Sequence, residues 1–520
     1  MSHPARIPAL WKRALSGLLL GAALLLSGRP VLADDVKTHF DKGIALYNQN
    51  KPGEALEEFA AARKLAPNDA TILNWIGFIE LQQQRFTEAL EPLEQAVALD
   101  PNSADAHTNL GNVYDGLKRY TDAVREFQTV AKLRPNAPDS YYNLGSVYYK
   151  MKRLPDAIAA YRRAVALKPD DPYAHLNLGF VLQASGNAAG AVAAYQKATQ
   201  LLPSQADFWF NLGLASQELA RKTGRSKAAA EKAANEARAA FTRAVQLAPN
   251  NYRMREVYGE ALAGMGRNAE AAAQFEKAAR LDPKQFDPAY NLGYVLARQG
   301  QLEKAAAAYQ RALTIHPQSR EALNNLGLIQ FQLKQYDQAA KTFEALTKLA
   351  PNDLSHWINL SSSLQRKGDA EGAVAALEAA LRQNGHGPRV AEVHCALASH
   401  YFRKGDADSL TRAQEEYARA LQEAPDNPEA LNGLGLVAQK QNKLDEAINY
   451  FKRAVAVNPR YADALNNLGV AYEFQGNTEQ AVACYRKALQ ADPGNALARK
   501  NLSRFEKSSN PARPARTPSG

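Results

Sequence analysis

The chain repeats itself every thirty-four residues, and this period restricts its fold more than any other feature. Residues 104–137 read ADAHTNLGNVYDGLKRYTDAVREFQTVAKLRPNA, and residues 138–171 read PDSYYNLGSVYYKMKRLPDAIAAYRRAVALKPDD. Each segment has an early Leu-Gly pair (Leu110-Gly111, Leu144-Gly145) and a Tyr three residues later (Tyr114, Tyr148). A small residue follows (Ala123, Ala157), then an aromatic (Phe127, Tyr161), then a Pro (Pro135, Pro169). A unit of this length cannot bury its apolar face alone. Copies must stack into a one-dimensional array, which excludes a compact enzyme domain.

The register runs nearly the whole length. Closing prolines run from Pro67 to Pro493, and the small residues from Ala55 to Ala481 mark thirteen repeats between Val36 and Asn495. Each position has a mechanical reason. Gly111 and Ala123 suit the crossing of two antiparallel helices, where a larger group would cost roughly 1–3 kcal/mol through overpacking. Leu110, Tyr114 and Phe127 fall at helical spacing and should bury against neighbours. The proline lacks an N–H and ends the second helix. Pro-Asn and Pro-Asp pairs after it, such as Pro67-Asn68 and Pro169-Asp170, are turn and N-cap chemistry.

These residues resemble the tetratricopeptide repeat (TPR) family. The resemblance implies an all-α, right-handed α-solenoid superhelix of about thirteen helix hairpins. It also implies that the first helix of each hairpin lines the concave surface. An Asn recurs at one place on that helix: Asn109, Asn143, Asn177, Asn211, Asn291, Asn325, Asn359 and Asn467. Helix propensity does not explain its return. The series is similar to the Asn ladder by which the repeats of O-GlcNAc transferase hold the backbone of an extended peptide. An amide can both donate to and accept from a main chain whatever the peptide's sequence, at about 0.5–1.5 kcal/mol per bond. The same amides could instead bond the neighbouring repeat, and the two roles are compatible. By the family's register, Tyr142, Tyr149, Phe180, Phe210, Tyr290 and Tyr294 belong to the groove-facing set, where aromatics supply contact area at low entropic cost. The carboxylate clamp of chaperone-binding TPR proteins needs a Lys one turn before the Asn. Here that place holds Asp105, Asp139, Tyr173, Asp207, Asp287, Glu321, Ser355 and Asp463.

Three repeats depart from the pattern. After Leu212-Gly213 the small residue comes only at Ala237, an insertion near 221–236 whose Ala-rich composition favours longer helices. Ser361 replaces a crossing Gly, and Asn384 to Pro388 form a long turn. Leu397-Ala398 replaces another Leu-Gly pair, with three extra residues before Ala413. The irregular region 384–412 is the expected seam.

The ends differ from the array. Residues 1–33 carry Arg6, Lys12 and Arg13, then an apolar stretch from Ala14 to Leu26, then Val31-Leu32-Ala33. This is the layout of a cleaved signal peptide. It places the mature chain in the periplasm or outside the cell, with a retained N-terminal anchor as the alternative. The array should therefore span 34–494. Of the net charge of +10, residues 1–33 supply +4 and residues 495–520 supply +5, leaving the array nearly neutral. No extended basic stripe points to nucleic acid. Residues 495–507 read as a capping helix, and 508–520 as a disordered basic tail able to touch an anionic envelope surface. The two cysteines, Cys395 and Cys484, lie two repeats apart and are not expected to bridge.

No nucleophile elbow, phosphate loop or metal-ligand spacing is present. Gly433-Leu-Gly435 mimics a dinucleotide turn, but no strand precedes it. His394, Cys395 and His400 are the one cluster with ligand types, and the two histidines point to different faces of a helix. The expectation is a scaffold with no catalysis, no cofactor and no metal, binding extended segments of partner proteins. The alternative is an accessory subunit of a polysaccharide-export or glycosyltransferase assembly.

Overall fold

The computed structural model describes residues 30–223, 226–383 and 387–508, with side chains placed from 34 to 505. Most of the expected signal and the tail beyond Ser508 lie outside these residues. Among the described residues the chain forms 27 α-helices and no strand. Consecutive helices pair into thirteen hairpins, and a single helix, Ala496–Ser508, follows the last. Two compact units are present, one up to Leu247 and one from Ala248. Each is an all-α stack of the same hairpin.

A regular hairpin shows why the sequence folds this way. Its first helix is Ala104–Gly116 and its second is Tyr120–Leu133. Ser103 caps the first helix by accepting the Ala106 N–H at 3.3 Å, satisfying a donor that the helix leaves open. The crossing is tight. A Cβ placed on Gly111 would lie 2.7 Å from the Phe127 ring, which is itself buried. Outside the long hairpin Ala206–Leu247, the residue seven after the crossing position closes the first helix in left-handed conformation. Gly186 (φ 82°) and Gly405 (φ 76°) do so without strain, whereas Lys118 (φ 61°) and Lys152 (φ 58°) bear a Cβ clash of about 1 kcal/mol. Apolar burial then runs from hairpin to hairpin. In the first unit one core extends from Ala89 to Ala240.

A second device ties several of the closing prolines to the helices that follow them. The side chain four residues before the crossing position donates to the proline carbonyl six residues behind. Trp209 Nε1 reaches Pro203 O at 2.9 Å, and Trp357 Nε1 reaches Pro351 O at 2.9 Å. Tyr141 reaches Pro135 O at 3.2 Å, His175 Nε2 meets Pro169 O at 3.0 Å, and Arg255 Nε meets Pro249 O at 3.0 Å. Each bond satisfies a carbonyl that the end of the second helix leaves without a partner.

Two hairpins are long. Ala206–Lys222 and Lys227–Leu247 have 17 and 21 residues, so the inserted segment extends both helices across their turn. Pro388–Lys404 and Ala407–Glu423 have 17 each. In this latter hairpin Ala398 stands where the glycine belongs, and Tyr417 reaches the next hairpin instead. A Cβ on Gly433 would lie 2.2 Å from the Tyr417 ring. Gly433 occupies the register place that elsewhere holds the recurring Asn. Its glycine is thus a packing requirement of a neighbour's ring.

Candidate functional site

The recurring Asn residues sit on the first helices, buried at Asn109 and half-buried at the others. Several of them donate to the preceding hairpin. Asn109 Nδ2 donates to Asn74 Oδ1 at 2.9 Å, and Asn177 Nδ2 to the Tyr142 hydroxyl at 2.5 Å. In the second unit Asn325 Nδ2 donates to the Tyr290 hydroxyl at 3.2 Å, and Asn467 Nδ2 to Asn432 Oδ1 at 3.0 Å. Asn501 continues the series onto Asn466 at 3.0 Å. In these five pairs the acceptor lies 35 residues back, one position ahead of the Asn in the repeat register. Asn211 finds Leu176 there, which cannot accept, and bonds Asp207 O of its own helix at 2.8 Å. Asn291 makes a long contact of 3.4 Å to Glu260. Asn143 and Asn359 make no side-chain hydrogen bond among the described residues.

The six aromatics divide by register. Tyr142, Phe210 and Tyr290 are half-buried and lie edge-on against Tyr161, Phe241 and Tyr309 at 5.6, 5.7 and 5.6 Å between ring centres. Two of their hydroxyls serve the Asn ladder. Tyr149, Phe180 and Tyr294 are open, at 45%, 37% and 46% exposure. Phe180 rests edge-on against Tyr195 at 5.7 Å. Tyr173 in the first unit and Leu328 in the second are exposed as well. Burial pushes the Tyr161, Tyr195 and Tyr309 phenols above their usual range and keeps them protonated.

A further set escaped the sequence reading. His39, His107 and His394 each meet a second-helix glutamate, Glu58, Glu126 and Glu416, with Nδ1 to Oε2 distances of 2.6 Å. His107 is the most enclosed, and its Nε2 also meets Pro101 O at 3.0 Å. Both ring nitrogens therefore face acceptors, and only the imidazolium donates to both. The bond to Glu126 raises the His107 pKa against the opposing effect of burial. Spacing of nineteen residues between His107 and Glu126 was the available signal. His394 is thus engaged with Glu416, and Cys395 beside it is buried, its thiol pushed up to about 12 by desolvation. Among the described residues no group of three or more His, Cys, Asp or Glu side chains is placed to hold a metal ion. Both cysteines are free and buried.

Hairpins in fixed register, a small-residue crossing and a closing proline define a helical-repeat scaffold. The family model described as tetratricopeptide repeat matches residues 40–104, 108–172, 221–286, 259–320, 290–353, 358–428, 406–448 and 434–496. A second, described as TPR repeat, matches 184–219. The chain belongs to the tetratricopeptide repeat family. Proteins of this family bind other proteins, and the chain has the build of a protein-binding scaffold. No curated protein matches the sequence. Among solved structures the chain is similar to MamA from Desulfovibrio magneticus RS-1, at 25% identity over 33% of this chain and 97% of that one, with a TM-score of 0.32. It is similar to a tetratricopeptide repeat protein from Parabacteroides merdae, at 17% identity over 48% and 97%, with a TM-score of 0.40. It is also similar to a chain of the APC/C hetero-tetramer Cut9-Hcn1, at 14% identity over 91% and 97%, with a TM-score of 0.35. No described helix is long and apolar enough to cross a membrane.

Proposed function

We propose that the chain is an exported, non-enzymatic adaptor that holds extended segments of partner proteins against its first helices. The observation that carries this reading is the open aromatic set, Tyr149, Phe180 and Tyr294, on the helices that also present amides. Rigid aromatic side chains held at fixed register supply contact area at little entropic cost. The ladder Asn residues are then shared. Their Nδ2 groups join hairpin to hairpin, and Asn143 and Asn359 remain available to a peptide main chain. Export is inferred from the leader-like residues 1–33.

The test is site-specific photo-cross-linking in cells. A photoreactive residue at position 149, 180 or 294 should capture polypeptide partners, whereas one at Lys132 or Lys277, exposed on second helices, should not. Equal capture from both faces, or none from the first-helix face, would remove the reading.

A further inference from the structure

Tyr252–Gly264, Phe286–Arg298 and Arg320–Gln332 are the first helices of three successive hairpins in the second unit. The place one after the crossing glycine holds Glu260, Tyr294 and Leu328 in turn, and all three are exposed. Glu256, half-buried, stands one helical turn before Glu260, and Asp287 belongs to the next first helix. In none of the other twelve repeats does a charged residue occupy the place of Glu256 or of Glu260. The three carboxylates form no ion pair among the described residues. Glu260 accepts from Asn291 at a long 3.4 Å. Partial desolvation and the charge of Asp287 hold both glutamates above the usual carboxylate range. Arg253 draws both the other way and falls short of cancelling this. Arg298 stays over the Tyr294 ring, 5.8 Å from its centre. The face therefore joins an anionic notch to an open apolar row.

We propose that this face receives the C-terminal segment of a second copy of the chain. The proposal rests on the peptide-holding reading above and names one occupant. Residues 509–518 read SNPARPARTP, with Arg513 and Arg516 and no acid. Their Pro-Ala-Arg unit repeats every three residues, the period of a polyproline II helix, which rises about 9 Å per turn. Packed helices lie about 8–10 Å apart, so one turn of such a segment advances by one hairpin. Pro511 and Pro514 then lie against Leu328 and Tyr294, as prolines do in aromatic-lined grooves. Arg516 reaches the carboxylates, where a guanidinium finds acceptors that no cation of the fold holds. The reach of the segment assigns it to another copy. Arg516 lies eight residues after Ser508, where the last helix ends, which is at most about 29 Å of extended backbone. Six hairpin steps separate that helix from Phe286–Arg298, about 50–60 Å along the stack.

The experiment is sedimentation velocity with the full chain. Association should grow with concentration and weaken as salt rises. Arg513→Gln/Arg516→Gln should weaken it at least about tenfold, a factor that corresponds to 1.4 kcal/mol. Glu256→Gln/Glu260→Gln should do the same, with helical circular dichroism unchanged. The quadruple variant should be no weaker than either pair, the non-additivity of a shared contact. Glu303→Gln, an exposed change on a second helix, should leave association unaltered. In fluorescence anisotropy a labelled peptide of residues 509–518 should bind the Arg513→Gln/Arg516→Gln chain, whose face is left open, and its Arg513→Glu/Arg516→Glu counterpart should not. A chain that stays monomeric, association indifferent to either pair of substitutions, or a peptide that binds anionic vesicles in place of the chain would overturn the proposal. If the peptide fails while a photoreactive residue at position 294 still captures other polypeptides, the peptide-holding reading stands and only the occupant falls. Failure of both the peptide and the capture removes both.

Discussion

The hairpin Ala104–Leu133 and the hairpin Pro388–Glu423 solve the same packing problem differently. In the first, Gly111 admits the Phe127 ring of its own partner helix. In the second, Ala398 fills the crossing and Tyr417 turns to the following hairpin, with its hydroxyl 3.0 Å from Ser399. Gly433 accommodates the displaced ring. The Asn ladder loses its usual residue at that place, and Asn432, one position earlier, serves as acceptor for Asn467. The repeat conserves a volume balance between ring and glycine, and the identity of the hairpin that supplies the glycine can change.

This comparison can be broken most directly at Gly433. Gly433→Ala puts a Cβ 2.2 Å from a buried ring, and unfolding by urea should show a loss of about 3 kcal/mol, the upper end of overpacking costs. Gly111→Ala meets the Phe127 ring at 2.7 Å and should cost less, within about 1–3 kcal/mol. The reverse order would refute the displaced-ring account. Combining Gly433→Ala with Tyr417→Leu should recover part of the loss, a coupling that a double-mutant cycle reads directly.

The histidine of the regular hairpin gives the next effect. The folded-state pKa of His107 is raised from its usual 6.5, so its stabilisation is fully present below the unfolded pKa. That stabilisation is lost as pH rises through the folded value. Melting followed across that window should fall by the worth of one charge-assisted bond, about 1.5 kcal/mol, and His107→Gln should flatten the profile. A wild-type profile no steeper than that of His107→Gln would show that the imidazolium is not the favoured form.

Smaller effects sharpen the picture of the ladder. Asn177→Ala leaves the Tyr142 hydroxyl without its donor and should cost about 0.5–1.5 kcal/mol. Asn143→Ala, which removes no such bond, should be nearly neutral. Equal losses at both sites would assign the ladder no role between hairpins. Lys152→Gly relieves a left-handed residue (φ 58°) and should stabilise by about 0.5 kcal/mol, part of the relief being offset by unfolded-state entropy.

The architecture was legible because the period, the crossing residues and the prolines are each tied to one mechanical task. Asn residues at one register place were equally visible, but their acceptors were not. Asn177 and Asn211 look alike in sequence, yet Tyr142 can accept from the first and Leu176 cannot accept from the second. Tyr142 and Tyr149 likewise share a helix and a residue type. The first is half-buried against Tyr161, and the second stands open. The direction of the Tyr417 ring was hidden because it depends on a neighbour one hairpin away. The proline-carbonyl bonds escaped notice for a chemical reason. Tyr141, His175, Trp209 and Arg255 share no residue type, only a long side chain ending in a donor.

Those carbonyl bonds bear on how the stack answers tension. A chain pulled at its two ends transmits the same load through every junction in series, so the weakest junction yields first. Junctions followed by Trp209, Trp357 or Arg255 must break a side-chain tether as well as backbone bonds. At Leu73, Ala289, Leu323, Leu431 and Leu465 the corresponding side chain has no donor to offer. Under optical tweezers the first rips should start at these five places, and replacing Leu323 by Trp should raise the force at which its junction opens.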